Sequence, residues 1–259
     1  MEIRVVPVKS RIFRWFCAVA VIVLFAISLH FANLDIGRFI ARFGNFPRVA
    51  RLFFQINPAI IIPGFQQFFI SFLMGVAGLV IGGSLAFVLA FFAASNIAPY
   101  KPLAVAIKAY VSIIRAVPSL VIMLMIVAAI GLGYTTGVVG LTLSSMGYLT
   151  KAFIATIEEQ DAGMINAMGA MGATRGQIAI HGILPAVATG FLSWLAIRLE
   201  TSVAESITLG VVGAGGIGAL LSRAIRQFDY ASVSTLVLII FACMVSLEIL
   251  VKRARRRLG

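Results

Sequence analysis

Apolar runs about as long as a lipid bilayer is thick, parted by short segments that hold the Lys and Arg residues, dictate what this chain can become. The first, from Trp15 to about Leu34, contains twenty residues. At 1.5 Å per residue a helix of that length spans about 30 Å, the depth of the hydrocarbon core. Further runs centre on Phe68–Ala93, Val117–Gly131, Val138–Ile157, Ala186–Leu209 and Ala231–Val251. Lipid offers no hydrogen-bond partners, so each run is expected to satisfy its backbone internally as a helix. The expected fold is an all-α integral membrane protein with about six transmembrane helices. A water-soluble fold is excluded by composition: 61% of the residues are apolar and 12% charged, where soluble domains are about half apolar and a quarter charged. The net charge of +12 sits in loops and tails instead of on one patch, which argues against nucleic acid.

Arg4, Lys9, Arg11 and Arg14 precede the first run as the charged start of a signal peptide would, but no small-residue cleavage site closes it, so a retained helix is expected. An even number of spans puts both ends on one side. The basic tails, Arg4 to Arg14 and Lys252, Arg253, Arg255, Arg256 and Arg257, assign that side to the cytoplasm. Lys101, Lys108 and Arg115 in one loop, and Lys151 and Arg175 in another, also fall inside. Asp35 to Gln55 falls outside although it holds Arg38, Arg42, Arg48 and Arg51. Arg38 and Arg42 lie one helical turn apart with Phe39, Phe43 and Phe46 interleaved. Two readings fit: an amphipathic helix on the outer membrane surface, or a contact surface for a partner. Cys17 and Cys243 lie inside apolar runs near opposite ends of the chain, where small buried hydrophobes are expected and neither a metal nor a disulfide framework is suggested.

The segment 158–185 is the most informative loop. It opens on Glu158, Glu159 and Asp161, and Met164, Met168 and Met171 recur at i, i+4 and i+7, which is one helical face. Ala167 and Ala170 flank that stripe, Gly172 is placed to end the helix, and Leu184-Pro185 marks entry to the next span. A short cytoplasmic helix with an adaptable apolar face could plug a groove on a soluble partner, or pack on its own bundle.

These residues resemble the transmembrane subunits of bacterial binding-protein-dependent ABC importers, whose cytoplasmic loop has the pattern E-A-A-x3-G-x9-I-x-L-P. Asn166 takes the Glu place, Ala167 and Met168 the two Ala places, Gly172 the Gly, Gly182 the Ile, and Leu184 and Pro185 close the pattern; Asn166, Met168 and Gly182 depart from it. The stretch from Arg115 to Arg226 is similar to the permeases of phosphonate and phosphite importers, through I-R-A-V-P at 114–118, G-L-G at 131–133, I-E-E-Q-D-A-G at 157–163, A-M-G-A-T-R at 170–175, G-I-L-P at 182–185, I-R-L-E at 197–200 and G-V-V-G-A-G-G-I-G at 210–218. The resemblance implies a type I ABC importer permease fold in the bacterial inner membrane. It also implies pairing as a homodimer, with two cytoplasmic ATPase subunits that bind ATP and Mg, and a periplasmic substrate-binding protein. On that scheme residues 1–66 form an N-terminal transmembrane helix with a periplasmic amphipathic segment. Residues 67–259 form the core permease, with Asn166, Ala167, Met168, Met171, Gly172, Leu184 and Pro185 coupling it to the ATPase.

Gly213, Gly215 and Gly218 spell G-x-G-x-x-G, but no βαβ unit surrounds them and no phosphate-cradling G-x-x-x-x-G-K-[ST] loop occurs, so ATP hydrolysis is expected on a separate chain and no cofactor on this one. Gly213, Gly215, Gly216 and Gly218 are expected to break a helix and let backbones approach near the outer mouth of the pathway, or simply to serve helix packing. In the fifth span Arg198, Thr201, Ser202 and Glu205 sit at i, i+3, i+4 and i+7, a polar stripe whose charges would cost about 2.5–3.5 kcal/mol each at mid-membrane. They should face a wet cavity or one another. The planar fork of Arg198 suits a passing phosphorus oxyanion, and an interhelical salt bridge is the other use. The phosphonate permeases carry a second Arg where Ala204 stands, and there Glu205 is a departure. His30 and His181 are expected at the membrane interface. A secondary transporter or small-anion channel would need inverted repeats or intramembrane proton carriers, and a membrane enzyme a catalytic constellation. The sequence presents neither, and the expected function is the translocation pathway of an ATP-driven importer for phosphonate, phosphite or a related anion.

Overall fold

The computed structural model describes residues 8–32, 36–44, 46–53 and 55–258, and among these every regular element is helical. Two compact units divide between Arg51 and Leu52. The first contains α1 (Val8–Phe31), α2 (Ile36–Phe43) and most of α3 (Phe46–Leu52). In α1 the 19-residue stretch Phe13–Phe31 is long and apolar enough to cross a membrane. The single amphipathic helix expected over Asp35–Gln55 is two short helices, and Phe43 stacks on Phe46 with ring centroids 5.7 Å apart. Arg4, Leu34 and Asp35, and the side chains of Phe39, Arg42, Arg48 and Arg257, lie outside the described residues.

In the second unit Asn57 caps a short turn, Pro58–Ile60, and ties it to the last helix by donating from Nδ2 to Ser232 Oγ and from its backbone to Thr235 Oγ1, both at 2.9 Å. The 33-residue α4 (Ile61–Ala93) follows. Its central partner is α7 (Tyr134–Glu158), which it meets closely because Gly78 and Gly82 have no side chain: a Cβ there would lie 2.5 Å from Leu141 Cβ and 2.6 Å from the Thr142 carbonyl oxygen. α10 (Leu184–Leu209) packs against both, and Phe191 stacks on Phe153 of α7 with centroids 4.0 Å apart. The closing helix α12 (Tyr230–Leu258) starts where Asp229 accepts from Ser232 N (3.1 Å) and Ser232 Oγ (2.6 Å), bonds that hold the Asp229 carboxyl below its ordinary range.

Among the described residues five helices are long and apolar enough to cross a membrane. The third expected span, Val117–Gly131, is different. It is a 12-residue α6 (Ser119–Ile130), about 18 Å long and so shorter than the hydrocarbon core. The preceding residues, read from sequence as a loop, form α5 (Lys101–Ala116), and the two meet at 91°. Pro118 explains the break: it lacks an N–H and forces Val117 into extended geometry (φ −87°, ψ 125°). Among the described residues a sixth crossing is available only if this bent pair counts as one span. Leu184-Pro185 also behaves differently from expectation, because Leu184 is helical (φ −55°, ψ −47°). The chain is already helical from α9 (Arg175–Gln177), and a π-helical turn, Ile178–Ile183, carries it into Pro185 without a break.

Candidate functional site

Three parts of the second unit hold the residues singled out from sequence. The first is the polar stripe of α10. Arg198 is 4% exposed and its fork is filled by Glu205, one i,i+7 step along the same helix: Nη1 donates to Oε1 at 2.9 Å and Nη2 to Oε2 at 2.8 Å. The ion pair is therefore within α10. The link across to α7 is made by Ser145, which accepts from Arg198 Nε at 3.1 Å, and Ser144, which accepts from Nη2 at 2.9 Å and donates to Glu205 at 3.0 Å. Thr201 accepts a longer bond from Nη1, 3.3 Å, while Ser202 is fully buried with its hydroxyl 3.3 Å from that of Ser145. Thr201 and Ser202 thus brace the arginine without lining the space beside it.

That space is a cavity of about 210 Å³ bounded by the α5–α6 bend and by α7 and α10. Arg115, Ser119, Ser144, Tyr148, Arg198 and Glu205 give it its polar lining. Tyr148 also carries the Arg198 guanidinium over its ring, 5.6 Å from the centroid, a cation–π contact. Arg115, Ser144 and Tyr148 escaped the sequence reading. Arg115 stands in the quoted I-R-A-V-P block, which the sequence places in a loop; the 91° bend brings it to the cavity shared with α10.

The second part is the loop at the other end of α7. α8 (Ala162–Ala170) is capped by Asp161, whose side chain accepts from Gly163 N at 2.9 Å. Gly172 ends it at φ +86°, and Ala173 N reaches back to Met168 O at 3.1 Å, the left-handed exit that glycine makes without strain. The methionine stripe divides. Met164 and Met168 turn inward onto Gly182, where a Cβ would lie 2.7 Å from Met168 Sδ, whereas Asn166, Ala167 and Ala170 are exposed and Met171 is 80% exposed. Two anchors fix this end. Glu158 Oε1 accepts from Lys108 Nζ of α5 and from Ser95 N, both at 2.7 Å, and Arg175 Nη1 donates to the carbonyls of Ala98 (2.8 Å) and Pro99 (3.1 Å).

The glycine run is the third part. A π-helical turn, Gly210–Ala214, leads from α10 to α11 (Gly216–Arg226). Gly216 lies at φ +68° and its missing side chain admits Ser71 Oγ, which accepts from Ile217 N at 3.1 Å. A Cβ on Gly218 would run into the Ile207 carbonyl. Gly213 accepts from Gly133 N at 3.2 Å, so the two glycine blocks quoted from sequence meet. Gly215 and Gly216 line a cavity of about 230 Å³ together with Gln67, Tyr134 and Arg223.

The described residues thus form an all-helical bundle with a buried arginine beside a half-open cavity and a short exposed helix between spans. Residues 86–259 match the family described as binding-protein-dependent transport system inner membrane component, and the chain belongs to that family. It is a multi-pass membrane protein. The chain is 37% identical over 169 residues to the phosphite transport system permease protein PtxC of Stutzerimonas stutzeri, covering 65% of this chain and 62% of that one. Over 186 residues it is 32% identical to the phosphate-import permease protein PhnE of Mycolicibacterium smegmatis, covering 72% of this chain and 35% of that one. The chain thus spans less than two thirds of the length of either relative. Among solved structures, the inward-facing MetNI methionine ABC transporter superposes with a TM-score of 0.66 at 23% identity, covering 79% of this chain and 100% of that one. The fold is that of an ABC importer permease.

Proposed function

We propose that the chain is the membrane-spanning permease subunit of an ATP-driven importer, and that it forms the pathway for a phosphorus oxyanion such as phosphite, a phosphonate or phosphate. The observation that carries this reading is the Arg198 fork, set beside a half-open cavity and filled by a carboxylate, whose paired oxygens have the geometry of a bidentate oxyanion. The cavity volume of about 210 Å³ is below the about 300–1,000 Å³ of organic-ligand sites, and it suits a small ion. Relatives described as phosphite and phosphate permeases support the same class.

The working assembly is two copies of this chain, two cytoplasmic ATPase subunits that hold ATP and Mg, and a periplasmic binding protein, with no cofactor on this chain. Both termini lie in the cytoplasm, as the basic tails require. Residues 1–66 serve as an N-terminal transmembrane helix with a periplasmic amphipathic segment, and 67–259 as the core permease. The exposed side of α8, with Asn166, Ala167 and Met171, docks on the ATPase. Gly172, Leu184 and Pro185 set how that helix joins the span behind it. Gly213, Gly215, Gly216 and Gly218 give a yielding break near the outer mouth.

The test is uptake in cells expressing the whole importer. Removing this chain should abolish uptake of radiolabelled phosphite, methylphosphonate or phosphate, and its return should restore it. Undiminished uptake of all three without the chain, with loss of another solute, would overturn the substrate class.

A further inference from the structure

Arg198 already holds an oxyanion, and that oxyanion is Glu205. The two carboxylate oxygens take Nη1 and Nη2 in parallel at 2.9 and 2.8 Å, the arrangement that a phosphorus oxyanion would itself adopt. Glu205 is 27% exposed while Arg198 is 4% exposed, so the carboxylate is the partner with room to leave. If it leaves, the arginine keeps Ser145 on Nε and Ser144 on Nη2 and stays in place. Arg115 lines the same cavity from the end of α5 and makes no ion pair or hydrogen bond among the described residues. The lining charges are thus two positive and one negative, and the exposed Arg115 is the more accessible of the two arginines. About 10–15 Å³ is enough for one water, so a volume of about 210 Å³ admits a small tetrahedral anion together with the displaced carboxylate.

We infer that Glu205 is a resident stand-in for the transported anion: the substrate binds first to Arg115, displaces Glu205 from Arg198, and is expelled when the carboxylate returns. This rests on the oxyanion reading above and adds a role to Arg115 and Glu205 within it. The physical logic is that a pathway site must release what it binds. A free pair of arginines would hold an oxyanion too long, and a tethered carboxylate competes at high effective concentration without leaving the protein.

The experiment is equilibrium binding of radiolabelled phosphite, with methylphosphonate and phosphate run alongside, to the purified permease–ATPase complex without its binding protein, on wild type, Glu205→Gln, Glu205→Asp and Arg115→Gln. Glutamine keeps the size of the side chain and a hydrogen-bond acceptor but gives up the charge. It should therefore tighten phosphite binding by about tenfold, the value of one charge-assisted hydrogen bond, while lowering maximal uptake because release slows. Glu205→Asp keeps the charge but is one methylene shorter, so it should tighten binding less than Glu205→Gln, and Arg115→Gln should weaken binding by about tenfold. Structural damage can weaken binding but does not tighten it, so a gain in affinity with a loss of turnover is specific to the stand-in role. Phosphite affinity within twofold of wild type in Glu205→Gln would overturn the inference and leave the oxyanion reading standing. Absence of phosphite, methylphosphonate and phosphate binding to every protein would overturn both. Should Glu205→Gln fail to assemble, Arg115→Gln decides: unchanged affinity there removes the first step and the inference with it.

Discussion

Substituting Ala167 by Glu separates the two uses of the loop helix, because the structure places its two faces on different partners. Ala167 is exposed on α8, and the methionine next to it, Met168, packs inward on Gly182. A charge at an exposed helical position changes folding by no more than about 0.5 kcal/mol, and Glu is nearly as good a helix former as Ala. If that face docks on the ATPase, the same carboxylate is buried unpaired in the complex at a cost of about 3–5 kcal/mol. Association should then weaken by about a hundredfold to a few thousandfold, at 1.4 kcal/mol per factor of ten. Met168→Ala is the mirror experiment. Burying a full methionine is worth about 2–5 kcal/mol against Ala, and Met168 is half-buried, so the permease should lose about 1–2.5 kcal/mol of stability while the docking face stays intact. The assay pairs a thermal melt of the detergent-solubilised permease with co-purification of the ATPase. Ala167→Glu should melt like wild type and lose the ATPase; Met168→Ala should melt earlier and keep it. Retention of the ATPase and of uptake by Ala167→Glu would refute the docking assignment.

Arg198→Lys keeps a charge beside Glu205 but loses the two-pronged fork, so uptake should fall at least tenfold with assembly intact; normal uptake in both Arg198→Lys and Arg198→Gln would take the residue off the path. Gly82→Leu forces α4 from α7 at a point where even a Cβ would lie 2.6 Å from the Thr142 carbonyl oxygen; overpacking costs about 1–3 kcal/mol or more, so little folded permease should be extracted. Glu158→Gln loosens the bonds to Lys108 and Ser95 at half-exposed positions, where an ion pair adds about 0–1 kcal/mol. Stability should hardly change, and the number of substrate molecules moved per ATP should drop. Reporter fusions after Arg14, at Arg175 and at Arg257 should read cytoplasmic and one at Gly44 periplasmic; a cytoplasmic signal at Gly44 would overturn the orientation.

Much of the architecture was legible because lipid imposes one rule on every span. A run of twenty apolar residues has few alternatives to a helix, so α1, α4, α7, α10 and α12 could be placed from sequence to within a few residues at most of their ends. The exceptions occur at prolines, where local geometry overrides hydropathy. Val117-Pro118 divides an apolar stretch from the helix before it and turns it through 91°, while Leu184-Pro185 interrupts nothing because a π-helical turn upstream absorbs the proline. Both are X-Pro steps beside apolar sequence. What differs is whether the residue before proline goes extended, as Val117 does, or stays helical, as Leu184 does.

The site was legible only where its residues share one helix. Arg198, Thr201, Ser202 and Glu205 are periodic along α10, so their mutual contact follows from helical spacing alone. Arg115, Ser144 and Tyr148 lie on α5 and α7, and their convergence depends on the bend at Pro118 and on the close approach that Gly78 and Gly82 give α7. Pro118 stands only three residues from Arg115, but Ser144 and Tyr148 lie far along the chain from both Pro118 and the two glycines, so no local pattern joins them. The loop shows the same limit in reverse: Met164, Met168 and Met171 are periodic and belong on one face, yet Gly172 ends α8 at φ +86° before that face is complete. Met171 is thereby left exposed while Met164 and Met168 cover Gly182. A helical period fixes which side chains share a face only as far as the helix runs, and the glycine that stops α8 also decides which methionine is free to meet another protein.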